Sequence, residues 1–310
     1  MKVICGRDRL REALSVVAGA LPAKTPKPIL DAVKLEARKG TLSLLATDLE
    51  VAIRYEIPDV EVASSGTCVV PAREALEFVR DLGDDTVQVE LARNVVRILG
   101  KEDTCELAVA DAGEFPEMPA VEETCSFTAP APELALQLER TAFAAAKEIG
   151  RFAMNGVRVE VQKDRLRAIA TDGRRLSLVE QAIELETAAR EGETSAATLP
   201  TRAVQQVVRV LQGEAEPVKV ALASDRAAFR TEHATVVTRL LEGEFPRYQA
   251  VIPKESKNVA ECDSRLLAAK IRLVAHLCAP EQPIVRFQFT SSSLSLSASS
   301  PQRGEARAEM

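Results

Sequence analysis

The sequence predicts an α+β fold assembled from tandem copies of one unit. Three observations carry that expectation: the chain repeats itself every 124 to 130 residues, apolar residues alternate along several short segments, and a few other segments show helical spacing. "LSLLATD" (42–48) returns as "LRAIATD" (166–172). "VVPAREALEFVRDL" (69–82) returns as "TLPTRAVQQVVRVL" (198–211), which sets Pro71 and Pro200, Arg73 and Arg202, and Arg80 and Arg209 each 129 apart. "GEFP" occurs at 113–116 and again at 243–246. A weaker third copy opens with "SRLLAAKIRLVAHL" and contains "LSLSASS", 128 residues past "LRAIATD". The expected division is 1–126, 127–255 and an incomplete 256–310, because a full third unit needs roughly 65 to 75 more residues.

Each element of the unit follows from local pattern. Helix is expected over 6–21, where Leu10, Ala13, Leu14 and Val17 share a face and Gly19 offers a stop. After the Pro-rich "PAKTPKPIL" come alternating strands: "AVKLEAR", "TLSLLAT", "EVAIRYEI" and "GTCVV". Pro71 is placed at the first turn of a second helix, where its missing N–H costs nothing. "TVQVELA", "NVVRILG" and "TCELAVA" complete a unit of two short helices among seven or eight strands. Asp48 and Asp172 each follow a strand and are read as turn residues that accept backbone N–H bonds.

Composition narrows the function. Apolar residues are 46% and charged residues 28%, with no segment as long and apolar as a membrane span and no apolar signal core at the start, so a cytoplasmic location is expected. The six cysteines are far apart and lack CxxC spacing, which argues against a zinc or disulfide framework. No nucleotide-binding glycine motif or HExxH occurs, and His233 and His276 have no evident partner in the sequence. The carboxylates Asp81, Asp84 and Asp85 fall in an expected loop. No catalytic site, metal or cofactor is expected.

The charge is unevenly shared. Helices expected over 6–21, 71–82, 132–151, 200–212 and 264–278 carry +1, −1, 0, +2 and +3, leaving −11 for the rest of a chain whose net charge is −6. Arg7 and Arg11 lie opposite the apolar stripe of the first helix. Arg140, Ala144, Lys147 and Arg151 follow one face of the third, Arg202 and Arg209 flank the fourth, and Arg265, Arg272 and His276 line the fifth. A positive face with few aromatics suits phosphates and carries no sequence preference. The acidic remainder would confine a nucleic acid to that face. Repeats aligned by strand pairing would align their helices, and a head-to-tail contact would either run on as a filament or close into a ring, which with helices inside would hold duplex DNA.

Several stretches resemble the bacterial DNA polymerase III beta subunit family, the sliding clamps. They are "MKV", "KPIL", "GTLSLLATDLE", "VVPAREALEFVR", "GEFP", "MNGVRVE", "AIATDGRRLSL", "TLPTRAV" and "EGEFPRYQAVIPK", and they span nearly the whole chain. The resemblance implies tandem DNA-clamp domains in a head-to-tail homodimeric ring, with antiparallel sheets outside and helices lining the inside. It implies DNA contact through Lys24, Arg73, Arg151 and Phe152, to which the helix faces add Arg80, Arg140, Lys147, Arg202 and Arg209. It also implies a cleft that captures short linear motifs of polymerase subunits, the clamp loader and repair proteins, walled by Met154, Thr171, Gly173, Arg174, Arg175, Leu176, Pro246, Ala250 and Val251. Two departures stand out. The family often has two aromatics in the "RFAMNG" stretch, where only Phe152 is present here, and Ala250 replaces a residue that is often larger and basic. The family's chain also ends in residues that form the far wall of the cleft, and this sequence stops before them; a fragment and a naturally shortened clamp are both compatible with that. The competing reading is a non-ring peptide-binding scaffold of clamp ancestry that never encircles DNA.

Overall fold

Prolines mark the points where strand becomes helix. Pro71, Pro130 and Pro200 each end a strand and sit at the N-cap of the helix that follows, with φ near −57° and extended ψ. Each is thus one residue earlier than the first helical position expected for Pro71, and the fixed proline φ turns strand directly into helix without a loop. The structure, a computed structural model, describes residues 1–147, 152–188, 194–279, 281 and 283–310.

The chain forms two compact units, Met1–Tyr248 and Gln249–Met310. In the first, β1 (Lys2–Gly6) leads into α1 (Arg7–Val17), followed by 3-10 turns at Ala18–Ala20 and Pro28–Asp31. Then come β2 (Ala32–Arg38), β3 (Thr41–Thr47), β4 (Val51–Ile57), β5 (Glu61–Ser64) and β6 (Gly66–Pro71). Helix α2 (Ala72–Asp81) precedes β7 (Thr86–Ala92), β8 (Val95–Leu99) and β9 (Thr104–Ala108). The second repeat runs in the same order: β10 (Cys125–Pro130), α3 (Ala131–Ala142), β11 (Gly156–Gln162), β12 (Arg165–Thr171), β13 (Leu176–Ala182), β14 (Glu184–Thr187) and β15 (Ser195–Pro200). It closes with α4 (Thr201–Leu211), β16 (Pro217–Leu222), β17 (Arg226–Arg230) and β18 (Ala234–Arg239).

Each repeat therefore has nine strands among the described residues, against the seven or eight expected. The two extra strands in repeat one are β1, whose alternation in "KVICG" merges into the helix start, and β5, four mostly exposed residues too short to show a pattern. The strands pair antiparallel in the orders β5-β1-β7-β8-β9 and β13-β12-β11-β15. A nine-stranded sheet, β14-β10-β16-β17-β18-β4-β3-β2-β6, runs through both repeats. Their joint is the β18–β4 ladder, with Val236 opposite Ile53 and Val237 opposite Ala52.

Strand alternation sorts the side chains onto two faces. Val33, Leu35, Leu42, Leu44, Ile53, Val236 and Val220 join the main core together with Leu10, Leu14, Val79, Leu134, Leu138, Val204 and Leu211 of the four helices. The intervening residues Ala32, Leu45 and Ala52 face the other way, where the "GEFP" segment lays Phe115 over them. Repeat two does the same with Ile169 beneath Phe245 and Tyr248. Helices thus cover one face of the sheets and the GEFP segments cover the other.

Three expected helices are shorter than the sequence predicts, the fifth ending at Ala275 rather than 278. The first ends at Val17 and tightens into a 3-10 turn. The third ends at Ala142 rather than reaching 151. There the Thr141 hydroxyl donates back to the carbonyls of Gln137 and Leu138, and Ala146 N–H is drawn to the Met154 carbonyl at 2.8 Å. Ala144 is consequently fully buried instead of lying on an exposed basic face.

The second unit contains α5 (Ser264–Ala275), capped by the Asp263 carboxylate on Leu266 N–H, and a sheet β19 (Arg286–Phe289), β20 (Leu294–Ser300), β21 (Gly304–Glu309). Its own small core gathers Val274, Cys278, Leu294, Leu296, Ala298 and Ala308.

Candidate functional site

The repeated Ala-Thr-Asp turn is duplicated bond for bond. In repeat one Thr47 Oγ1 donates to Val51 O and accepts from Leu49 N–H, while Asp48 Oδ1 accepts from Glu50 and Val51 N–H at 3.0 and 2.7 Å. In repeat two Thr171 Oγ1 donates to Arg175 O and accepts from Gly173 N–H, and Asp172 Oδ1 accepts from Arg174 and Arg175 N–H at 2.9 and 3.0 Å. Those backbone donors, aided by the Arg175 guanidinium, hold the Asp172 carboxyl below its ordinary range. The third residue of each turn has positive φ, 85° at Gly173 and 78° at Leu49. Glycine adopts this at no steric cost, whereas a leucine held there costs about 1 kcal/mol.

The Asp172 turn presents the expected cleft residues. Gly173, Arg174 and Arg175 are exposed, Thr171 is buried beneath them, and Leu176 opens β13 half-buried against Ile169, Phe245 and Tyr248. Arg175 is fixed on two sides, by Asp172 Oδ2 at 3.1 Å and by the Phe143 ring, 5.3 Å from its guanidinium carbon. Tyr248 donates to Glu160 Oε2 at 2.8 Å, and burial together with that carboxylate pushes its pKa up to about 12. Pro246 is exposed between Phe245 and Tyr248, and Met154 is half-buried in a 3-10 turn that begins at Phe152. Ala250 and Val251 are exposed in the second unit.

Of the residues expected to meet DNA, Arg73, Arg80, Arg140, Arg202 and Arg209 lie on helices. Lys24 is exposed in the loop after α1. Arg73 begins α2 and reaches Pro22 O at 3.4 Å, and Arg80 near the end of α2 is bound in two places by its neighbour Asp81. Arg140 is exposed near the end of α3, Lys147 is exposed but lies beyond that helix, and Arg151 lies outside the described residues. The stripe expected to run from Arg140 to Arg151 is therefore not continuous along one helix. Arg202 and Arg209 of α4 point across the repeat joint. Arg202 pairs with the Asp48 carboxylate and donates to Leu21 O at 2.8 Å, while Arg209 donates to Ser15 Oγ at 2.7 Å. The Asp48 side chain is only 6% exposed, so Arg202 neutralises a buried charge as well as presenting one to solvent.

Comparison with known proteins decides the family. Residues 1–119 match the model of the DNA polymerase III beta subunit N-terminal domain, and residues 129–247 match its central domain. The chain belongs to the DNA polymerase III beta subunit family. It is 26% identical over 311 residues to the beta sliding clamp of Chlamydia pneumoniae, covering 100% of this chain and 83% of that one. With the beta sliding clamp of Escherichia coli K12 it shares 28% over 309 residues, 99% of this chain and 82% of the relative. The sliding clamp of Pseudomonas aeruginosa solved with griselimycin superposes with a TM-score of 0.94 at 25% identity, and the Thermotoga maritima beta subunit with 0.89 at 27%; each match covers 100% of this chain and 83% of the other. The fold is the α+β clamp fold expected from the sequence.

Two of the three carboxylates noted in the sequence, Asp81 and Asp84, have structural partners. Asp81 belongs to the end of α2, where it binds Arg80, and Asp84 Oδ2 accepts from Lys101 N–H at 2.8 Å. Among the described residues no group of three His, Cys, Asp or Glu side chains is placed to hold a metal ion. Burial raises the thiol of Cys5 to about 11 and that of Cys68 to about 12, which keeps both protonated and unreactive. Sequence reasoning missed the second role of Asp48 as the acid for Arg202, because their separation in the chain carries no periodic signal. It also missed Phe143 beneath Arg175, because the third helix was drawn through it.

Proposed function

We propose that this chain acts as a DNA sliding clamp, with no catalytic site of its own, and that two copies join head to tail around duplex DNA. The observation that carries this reading is the β18–β4 joint, which fuses two repeats edge to edge with their helices on one face. By position in the repeat β9 is the counterpart of β18, and β21 is the counterpart of β4; both lie at sheet edges. The same joint made between copies, β21 of one against β9 of the next, closes a ring when the rotations close. The chain is read as two complete repeats, 1–126 and 127–255, and a partial third, 256–310. Lys24, Arg73, Arg80, Arg140, Lys147, Arg151, Arg202 and Arg209, with Phe152, line the hole, where phosphate contacts hold DNA without reading sequence.

The turn at Asp172 serves as the partner cleft. Leu176 and Met154 supply apolar surface, Gly173 permits close approach, and Arg174 and Arg175 edge the site, with Thr171 and Pro246 completing the wall within the first unit. Its ligands are short linear motifs of polymerase subunits, the clamp loader and repair proteins. Light scattering across micromolar dilutions tests the ring: a mass near twice 33.5 kDa is expected, and a monomer throughout would contradict it. Leu176→Ala is expected to weaken binding of a partner peptide about tenfold with little change in unfolding; unchanged binding would remove Leu176 from the cleft.

A further inference from the structure

We infer that the joint between the two repeats carries a second docking site, a pocket on the face opposite the helices that takes a short peptide presenting a large apolar side chain beside a carboxylate. A cavity of about 390 Å³ opens there between β4 and β18. That is the size of a small ligand pocket. Thr47, Ala52 and Val237, all buried, form its floor, and Leu49 stands at its mouth, 47% exposed.

Two arginines give the pocket its charge. Arg226 on β17 and Arg239 on β18 are directly opposite each other in the ladder, so both side chains leave the same face of the sheet and both line the cavity. Like charges so placed repel. Each is paired only loosely: Asp225 lies 3.7 Å from Arg226 and Glu50 lies 3.6 Å from Arg239, ion-pair distances longer than the roughly 2.7–2.9 Å typical of charge-assisted hydrogen bonds. The other acid of the rim, Glu117, is engaged by Lys34 at 3.1 Å. A carboxylate between the two guanidinium groups relieves the repulsion.

Leu49 is the third observation. Its backbone is held at φ 78°, where the counterpart in repeat two is Gly173 at φ 85°. The chain thus retains an exposed apolar side chain at a position where glycine serves the same turn without strain. The pocket also repeats the cleft position by position, with Thr47, Leu49, Ala52 and Pro116 in the places of Thr171, Gly173, Leu176 and Pro246. This last point alone rests on the cleft reading, and it is what favours a peptide over a free small carboxylate. Arg226, Val237 and Arg239 supply the far wall from within the same compact unit.

The test titrates N-acetyl-leucyl-phenylalanine, as free acid and as C-terminal amide, into the full chain with labelled leucine and valine methyl groups. At concentrations up to ~10 mM the acid is expected to shift the Leu49 and Val237 signals, and the amide to bind at least about tenfold more weakly. The double variant Arg226→Gln/Arg239→Gln should abolish that difference. Leu49→Gly should weaken binding while unfolding at a higher denaturant concentration, which separates lost docking from lost fold. Equal binding of acid and amide, or an unchanged response in either variant, would overturn the proposal. Shifts confined to Leu176 would also overturn it and leave the cleft at Asp172 standing.

Discussion

Asp48 and Asp172 are the same residue in two copies of one turn, and their second oxygens have taken different work. At Asp172 that oxygen holds the Arg175 side chain in its own turn; at Asp48 the carboxylate is buried against Arg202 of the following repeat. Removing Arg202 leaves the Asp48 charge buried with its turn bonds alone. Arg202→Ala is therefore expected to lower unfolding stability by about 2 kcal/mol, while Arg140→Ala, exposed near the end of α3, stays within about 0.5 kcal/mol; paired urea titrations measure the difference. The pH dependence follows from Asp172. Its folded pKa lies below the ordinary value, so its contribution is present above about pH 4 and is lost as pH falls through the lowered pKa. Asp172→Asn should make the acid limb shallower, read as urea midpoints between about pH 5 and 2. The turn role of both aspartates was legible from their place after a strand. The pairing with Arg202 was not, because it joins residues from different repeats with no shared spacing.

At the scale of elements, the period-two pattern located most strands with buried faces, but it missed β1, whose alternation runs straight into α1, and β5, which has almost no buried face. β2, β3 and β7 were legible end to end from alternation, whereas β5 is mostly exposed and carries too little pattern to read. Helical spacing overshot at "TAFAAAK", which continues an apolar period although the helix ends at Ala142 and the alanines that follow are buried in a turn. The GEFP segments were visible as repeats, but their task required the structure. Each covers the sheet face that the helices leave bare, through Phe115 in one repeat and Phe245 in the other. Phe245→Ala is expected to cost about 3–5 kcal/mol by chemical denaturation and to loosen Leu176, which packs on the same cluster. A cost below about 1 kcal/mol would mean that the segment is a surface strap rather than part of the core.

For the whole molecule, the duplication explains how the helices of the first unit come to share one face of its sheets. Edge-to-edge joining through β18 and β4 sets α1 beside α4, where Arg202 and Arg209 hold Leu21, Asp48 and Ser15. The helix row is thus built by the same contact that extends the sheet. The repeat spacing made this arrangement readable in advance, together with the resemblance to the beta subunits. What the sequence did not disclose is the pocket at the joint, because its walls come from β3, β4, β17, β18 and the GEFP segment, which meet only on folding.

Encirclement of DNA is tested most directly by topology. The chain, loaded on a nicked circular plasmid, is passed through gel filtration at high salt before and after a single restriction cut. A ring is expected to stay with the circle, where phosphate contacts alone would be lost at that salt, and to be released by the cut. Equal loss from circle and linear DNA, or equal retention on both, would contradict the clamp account.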